Sequence, residues 1–229
     1  LSTCRKKSDN DTFVNEKLLQ ILQYFLETAR RACDSSGAVL IFDEVIAFRL
    51  GFGGAQGVIG VDPDLTVLGK SIGGGFPVGG VAGRAEIMDI TRPGTKERVT
   101  HPGTFNGNPV TMVAGLATLE AMTPACHDEL DVAAGAVRQR LNALCEGLPL
   151  TVTGVGPLFK INATGRDIRD HRDTVTVDKE WEGLASLALL NDGIMLTPSL
   201  RGCISSTSLG STRSVAERSP CPEPLLRRA

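Results

Sequence analysis

Gly69-Lys70-Ser71-Ile72-Gly73-Gly74-Gly75 is the stretch that decides the fold, together with Asp43-Glu44-Val45 upstream. The first stretch follows the apolar run Leu65–Leu68, and the second follows the apolar run Ala38–Phe42. Ala38–Phe42 does not alternate with polar residues, which is typical of a strand buried on both faces of a sheet, and Leu65–Leu68 has the length of a second short strand. Each strand is therefore predicted to end in a polar side chain, at the edge where the ligands of open α/β sheets bind.

The two strand ends offer a carboxylate and an amine. Asp43 can hold a protonated pyridine nitrogen and Lys70 can form a Schiff base, and pyridoxal phosphate needs these two groups from a protein. The three glycines that follow the lysine in the chain favour a close approach of the backbone to a ligand or a neighbouring chain. Local sequence leaves a plainer alternative open, in which Lys70 is a surface lysine and Asp43 is a turn residue.

A P-loop-like NTPase is the competing class of enzyme, and it is disfavoured. An apolar strand that ends in Asp43-Glu44 resembles a Walker B motif, and Gly69-Lys70-Ser71 matches the last three residues of a P-loop. The P-loop also requires a glycine where this chain has Asp64. A phosphate-binding loop cannot be built from the strand residues that follow Asp64, and the carboxylate would repel the phosphates.

Composition limits the remaining classes of function. The chain has 229 residues, a formal net charge of -2 and 4% aromatic residues, so a nucleic-acid partner is not expected. No apolar run has the length of a membrane span, so no membrane partner is expected. Six cysteines without a C-x-x-C pair and three scattered histidines predict no metal site, and they favour reduced thiols in the cytoplasm.

Alternating strands and helices predict an α/β architecture. The expected helices cover 13–32, 109–122, 128–148 and 181–190, and the expected strands cover 38–42, 65–68, 77–82, 152–161 and 194–196. The glycine-rich stretch 51–60 is expected to be a loop. A domain boundary is expected near residue 124, and the Ser- and Pro-rich composition after Ser205 predicts a disordered tail.

Gly103-Thr104-Phe105-Asn106-Gly107-Asn108-Pro109 precedes one of the expected helices. A hydroxyl group and free backbone N–H groups before a helix can bind a phosphate. A simple turn with Asn108 as the helix cap explains the same residues equally well.

The chain resembles the class III (fold type I) pyridoxal-phosphate-dependent aminotransferases through four motifs that occur in order. They are Phe42-Asp43-Glu44-Val45, Pro63-Asp64-Leu65-Thr66, Leu68–Gly75 and Gly103–Pro109. Gly53-Gly54-Ala55-Gln56-Gly57 adds a resemblance to the subgroup of glutamate-1-semialdehyde 2,1-aminomutase and its aminotransferase relatives. The resemblance implies a partial large cofactor-binding domain over residues 1–124 and a small C-terminal α/β domain over residues 125–206.

The resemblance also implies a function and a site. Lys70 would bind pyridoxal phosphate through a Schiff base and move the substrate proton, while Asp43 would pair with the ring nitrogen. Val45 would pack on the ring, and Thr104 would bind the phosphate of a neighbouring subunit's cofactor in a homodimer. An amino group would pass between a small-molecule amino donor and a carbonyl acceptor. Because the family's N-terminal half is not matched, a catalytically inactive truncated fragment is the alternative, with residues 207–229 as a disordered or aberrant tail.

Overall fold

The computed structural model describes residues 16–203, with side chains from residue 20 onward. The chain divides into two compact units, Leu1–His127 and Asp128–Ala229. The helices are α1 (Glu16–Ser36), α2 (Gly54–Ile59), α3 (Ala85–Met88), α4 (Pro109–Ala121), α5 (Pro124–Cys145) and α6 (Lys179–Asn191). The strands are β1 (Ile41–Asp43), β2 (Leu65–Gly69), β3 (Gly79–Gly83), β4 (Thr151–Val155), β5 (Leu158–Asn162) and β6 (Arg201–Cys203). The predicted tail after residue 206 lies outside the described residues.

The first unit contains a mixed three-stranded sheet in the order β1-β2-β3. β1 and β2 run parallel, with Asp43 opposite Val67, whereas β3 runs antiparallel to β2. The parallel pairing brings the carboxyl ends of β1 and β2 to the same edge of the sheet. This edge is where the sequence predicted the polar strand ends to meet.

At the other edge of the sheet, Asp64 holds the start of β2 in place. Its carboxylate accepts a 2.7 Å hydrogen bond from the Leu40 N–H and forms 2.9 Å ion pairs with Arg30 of α1 and Arg84 beyond β3. The Leu40 N–H, together with the guanidinium groups of Arg84 and Arg30, lowers the pKa of Asp64 to about 2. The side chain is buried, so α1, β2 and the segments next to β1 and β3 are tied together at one carboxylate.

Helix α4 begins at a side-chain cap, which was one of the two interpretations that its sequence left open. The Asn108 Oδ1 accepts hydrogen bonds from the N–H groups of Val110, at 3.0 Å, and Thr111, at 3.4 Å. Pro109 occupies the first turn, where its missing N–H costs no hydrogen bond. The predicted helix over 109–122 is therefore confirmed, and it ends within one residue of the expected position.

The second unit has an antiparallel sheet in the order β4-β5-β6. Helix α6 is capped by Asp178, whose carboxylate accepts a 2.9 Å hydrogen bond from the Trp181 N–H. Glu182 of α6 is buried and forms a 3.2 Å ion pair with Lys160 of β5. The core of this unit includes Leu130, Ala134, Val152, Val177 and Leu200.

Several predicted elements differ from the structure. Strand β1 covers only Ile41–Asp43, and its first and last side chains are exposed, so the prediction of a fully buried strand over 38–42 is wrong. The expected strand over 152–161 is a hairpin of two strands, β4 and β5. The expected strand over 194–196 is absent from the described residues, because the Ile194 N–H donates a 2.8 Å hydrogen bond back to the Leu189 carbonyl and closes α6.

The stretch 51–60, expected to be a loop, contains helix α2. The N–H groups of Ala55 and Gln56 in its first turn donate to the carboxylate of Glu44, which lies ten or more positions earlier in the chain. Local sequence therefore did not show what starts this helix. Among the described residues, no helix is long and apolar enough to cross a membrane, and no group of His, Cys, Asp and Glu side chains could hold a metal ion.

Candidate functional site

The carboxyl edge of the first sheet brings Asp43 and Lys70 to the ends of neighbouring strands. Asp43 is the last residue of β1, and Lys70 follows β2 directly. The parallel pairing continues one residue past β1, because the Glu44 N–H donates a 2.9 Å hydrogen bond to the Val67 carbonyl. Leu68 and Gly69 then lead to Lys70. Both side chains are exposed, so a ligand at this edge can reach the carboxylate and the amine.

Lys70 has a left-handed backbone conformation, with φ of 48°. This conformation is costly for a residue with a side chain and is common at functional sites, where the surrounding structure enforces it. Lys70 also begins a 3-10 helix, Lys70–Gly73, which turns the chain directly after the strand. The strand end and the tight turn together fix the backbone position of Lys70.

Close packing against α4 holds this turn in place. A Cβ atom at Gly115 of α4 would lie 2.5 Å from the carbonyl oxygen of Ile72. A Cβ atom at Gly74, which has φ of 60°, would overlap the carbonyl oxygen of Ala114. Two of the chain's glycines therefore permit helix and turn to touch backbone to backbone. Gly75, by contrast, has no atom near its Cβ position.

Val45 is brought to the same edge as Lys70. Its Cγ1 atom lies 3.2 Å from the Cβ position of Gly69, the last residue of β2. The Val45 N–H also donates a 3.1 Å hydrogen bond to Oδ1 of Asp43. Three of the four predicted site residues, Asp43, Val45 and Lys70, therefore belong to one group at the carboxyl ends of β1 and β2.

Thr104 is the fourth predicted site residue, and it lies on a separate segment. It is exposed in the turn before α4, where the Asn106 N–H donates to the Gly103 carbonyl at 3.1 Å. The Asn106 side-chain amide donates to the His101 carbonyl at 2.8 Å. Within residues 20–203, no hydrogen bond links Thr104 to Asp43, Val45 or Lys70.

Glu44 is the residue of this region that the sequence interpretation missed. It stands between Asp43 and Val45, is only 1% exposed, and accepts the hydrogen bonds that start α2. Asp43-Glu44 was compared with a Walker B motif, and no role was assigned to Glu44 itself. The glycine-rich stretch after it was the available signal, because a buried carboxylate needs N–H donors and glycines allow the backbone to come close.

The fold and this site agree with a match to a known family. A family model described as aminotransferase class-III matches residues 20–207, and the chain therefore belongs to the class-III aminotransferase family. This confirms the resemblance found in the motifs.

Individual relatives agree with the family. The chain is 41% identical over 180 residues to a glutamate-1-semialdehyde 2,1-aminomutase of Sulfolobus acidocaldarius, a match that covers 76% of this chain and 42% of that protein. It is similar in structure to an omega-transaminase from Sphaerobacter thermophilus, with a TM-score of 0.76 and 45% identity over 80% of this chain and 43% of the other. A transaminase solved with PLP bound gives a TM-score of 0.72 and 33% identity, over 84% of this chain and 46% of the other.

These likenesses confirm the predicted fold class, a mixed α/β structure of the fold type I aminotransferases. The chain spans 42% of the length of the aminomutase that it matches. The strand of Leu65–Gly69 also agrees with the geometric argument against a P-loop, since the residues that precede Lys70 are paired in a sheet.

Proposed function

We propose that the chain carries the cofactor-binding lysine of a pyridoxal-phosphate-dependent enzyme that transfers amino groups, and that this lysine is Lys70. One observation carries the proposal. Lys70 and Asp43 lie at the carboxyl ends of two adjacent parallel strands, with Val45 in contact with the residue before the lysine. The PLP bound in a transaminase of similar structure supports the choice of cofactor.

The residues at this edge fit pyridoxal phosphate. Among the described residues, no ion pair occupies Nζ of Lys70, which leaves the amine available to an aldehyde. The Asp43 carboxylate receives the Val45 N–H on Oδ1, and within residues 20–203 no hydrogen bond is made to Oδ2. Oδ2 can therefore accept a hydrogen bond from a protonated ring nitrogen, while the backbone N–H of Val45 orients Oδ1.

Each of the three residues has a distinct task. Bound pyridoxal phosphate supplies an electron sink for the carbon from which a proton is removed. Nζ of Lys70 would hold the cofactor, accept that proton from the substrate and return it at the end of the transfer. The Asp43 carboxylate keeps the ring nitrogen protonated by its negative charge. The Val45 side chain would pack on the ring and fix its orientation.

The site is proposed to work in a homodimer. Thr104 is exposed in the turn before α4, on a different segment of the chain from Asp43 and Lys70, as expected of a residue that serves the neighbouring subunit's cofactor. We assign the dimer to the cytoplasm, and the free thiols of Cys33 and Cys126 support this assignment. Residues 1–124 would belong to the large cofactor domain and residues 125–206 to the small domain, which the division at His127 supports.

The substrates are a small-molecule amino donor and a carbonyl acceptor. An aminomutase moves the amino group within one bound molecule, whereas a transaminase moves it between two molecules. Relatives of both kinds are similar to this chain. The proposed roles of Lys70 and Asp43 serve either outcome, so the proposal is made at the level of amino-group transfer.

Reductive trapping tests the proposal. The purified chain is mixed with pyridoxal phosphate and reduced with borohydride, and the modified peptide is located by mass spectrometry. We expect the phosphopyridoxyl group to be concentrated on Lys70 and to be lost in Lys70→Ala. Lys96→Ala is the matched control, because Lys96 is also an exposed lysine of the first unit but lies in the loop after β3 and α3. Labelling spread over many lysines of the wild-type chain would contradict the proposal.

Exposed apolar side chains favour a second candidate, a chain that folds without catalysing. Tyr24 and Phe25 of α1 are 68% and 63% exposed, and Val113 and Leu116 of α4 are 69% and 59% exposed. Apolar patches of this kind normally contact another polypeptide surface. Trapping that fails in the chain alone but succeeds on Lys70 when a polypeptide matching the family's N-terminal half is added would favour this candidate.

A further inference from the structure

We propose that Glu44 is a positioning residue of this site, which fixes Asp43 and Val45 at the end of β1 without touching the cofactor itself. The inference rests on the function proposed above and assigns a role to a buried residue that this function leaves unused. It is carried by the hydrogen bonds of Glu44, by the shape of the backbone around its carboxylate, and by its place between two site residues.

The Glu44 carboxylate is fully engaged by the first turn of α2. Oε2 accepts a 2.8 Å hydrogen bond from the Ala55 N–H, and Oε1 accepts a 2.7 Å hydrogen bond from the Gln56 N–H. The residue is 1% exposed. A buried carboxylate with both oxygens bonded to backbone donors has one orientation, because turning it would leave two backbone N–H groups without acceptors.

The backbone of Glu44 is fixed as well. Its N–H donates a 2.9 Å hydrogen bond to the Val67 carbonyl of β2, and its carbonyl accepts a 3.0 Å hydrogen bond from the Phe48 N–H. Side chain and backbone together link Glu44 to β2, α2 and the short 3-10 helix Ala47–Leu50. Glu44 is therefore held by four hydrogen bonds.

The start of α2 is shaped to receive this carboxylate. Gly54 has φ of 75°, and a Cβ atom there would overlap Oε2 of Glu44 and lie 3.0 Å from Cδ2 of Phe48. Gln56 then connects back to the sheet, because its Oε1 accepts a 3.2 Å hydrogen bond from the Thr66 hydroxyl of β2. α2 therefore holds Glu44 on one side and β2 on the other.

The constraint passes to the site because Glu44 separates the two residues that would meet the cofactor. Asp43 and Val45 are its chain neighbours, and the Val45 N–H is bonded to the Asp43 carboxylate. Val45 in turn contacts the Gly69 position next to Lys70. If Glu44 loses its anchor, the Asp43 carboxylate and the Val45 side chain lose their fixed relation to the lysine. The orientation of the bound ring should change with them.

Three variants separate positioning from simple stability. Glu44→Gln puts an amide NH₂ against one of the two backbone N–H groups, and Gly54→Ala disturbs the same contact from the helix side. Asp64→Asn is the matched control, because Asp64 is also a buried carboxylate that accepts a backbone N–H, but at the opposite end of β2. Each full chain is studied by thermal melting, by amide hydrogen exchange of peptides covering 41–57, and by visible circular dichroism with added pyridoxal phosphate.

We expect Glu44→Gln and Gly54→Ala to speed amide exchange at Asp43–Val45 and at the start of α2 by about tenfold, the effect of losing one strong hydrogen bond. Both variants should also change the sign or the intensity of the cofactor's dichroism. Asp64→Asn should lower the melting temperature while leaving the cofactor's dichroism unchanged. If Glu44→Gln does not fold, Gly54→Ala and Glu44→Asp still test the contact.

The positioning role is overturned if the Glu44 and Gly54 variants lower the melting temperature but leave both the dichroism and the exchange of Asp43–Val45 as in the wild type. It is also overturned if Asp64→Asn changes the dichroism as much as they do. A wild-type chain that shows no cofactor dichroism and no trapping on Lys70 would instead contradict the proposed function. In that case the exchange of Asp43–Val45 still decides whether Glu44 fixes the strand end.

Discussion

The charged side chains at the two ends of β2 differ in whether they form ion pairs. At its start, the buried Asp64 carboxylate is paired with Arg30 and Arg84 and accepts a backbone N–H, so each charged group has a partner. At its other end, Lys70 and Asp43 are exposed at the ends of neighbouring strands, and no ion pair joins them among the described residues. The charges at the first end are paired, whereas the second end is where we propose that the cofactor binds.

The unpaired end also contains the backbone strain. Lys70 has φ of 48°, whereas none of Asp64, Arg30 and Arg84 has a positive φ. Strain and unpaired charge in one place indicate a site whose arrangement is imposed by its surroundings and used in function. Variants that act on one end only should therefore separate stability from cofactor binding.

Lys70→Gly should have the largest effect, and it should change cofactor trapping and stability in opposite directions. The cofactor trapping on this residue should be lost completely, because the amine is gone. The free energy of unfolding should rise by about 1 kcal/mol, because glycine adopts the left-handed conformation without the cost that a side chain brings. Borohydride labelling measures the first effect and thermal or urea unfolding measures the second.

Lys70→Ala is the control for that variant, because it removes the amine and keeps the strain. Its unfolding free energy should stay near that of the wild type. A Lys70→Gly chain that is less stable than Lys70→Ala would show that the positive φ carries no strain here.

Gly115→Ala should disturb the turn that holds Lys70. The new methyl group would meet the Ile72 carbonyl at 2.5 Å, so α4 and the turn must separate. We expect a loss of about 1–3 kcal/mol in the free energy of unfolding, together with weaker trapping on Lys70. Gly183→Ala in α6 is the matched control, since no atom lies near that Cβ position. It should be neutral or stabilise by up to about 1 kcal/mol, and equal losses in both variants would contradict the packing argument.

The lowered pKa of Asp64 predicts that the stability of the fold depends on pH through the end of β2 where the charges are paired. Its pKa is lowered from 3.8 to about 2, so the folded chain favours the ionised carboxylate more than the unfolded chain does. The stabilisation is therefore complete above pH 3.8 and is lost as the pH falls through about 2. The melting temperature of the wild type should exceed that of Asp64→Asn near neutral pH, and the gap should close over this acid range. A gap that stays constant down to pH 2 would show that the carboxylate's charge does not stabilise the fold.

Sequence patterns predicted the elements whose signals are local. The apolar run Leu65–Leu68 followed by Gly69-Lys70 became β2 and the residue after it, and Asn108-Pro109 became the start of α4. The motifs also predicted the family, since they occur in order along the first unit. In each case the residues that determine the structure are neighbours in the chain.

Features that depend on distant residues were missed. α2 starts where it does because Glu44 accepts its first N–H groups, which a window of the glycine-rich stretch cannot reveal. The glycine run after Lys70 was interpreted as an approach to a ligand or neighbouring chain, yet Gly74 in fact approaches α4. The expected strand 194–196 failed because three apolar residues do not show whether their N–H groups pair with a strand or close a helix. The role of Thr104 depends on a second subunit and stays a prediction.

Asn108→Ala should have the smallest effect of these variants, and it tests whether the first turn of α4 helps to hold Lys70. It removes the cap that accepts the N–H groups of Val110 and Thr111, at a cost of about 1 kcal/mol. Because α4 packs on the turn after Lys70, a frayed first turn should reduce trapping on Lys70 slightly. Asp178→Ala is the matched control, since it removes the cap of α6 in the other unit. That variant should lose similar stability and keep the trapping of the wild type. Equal trapping in the two variants would mean that the first turn of α4 does not help to hold the lysine, and that Gly115 and Gly74 hold it alone.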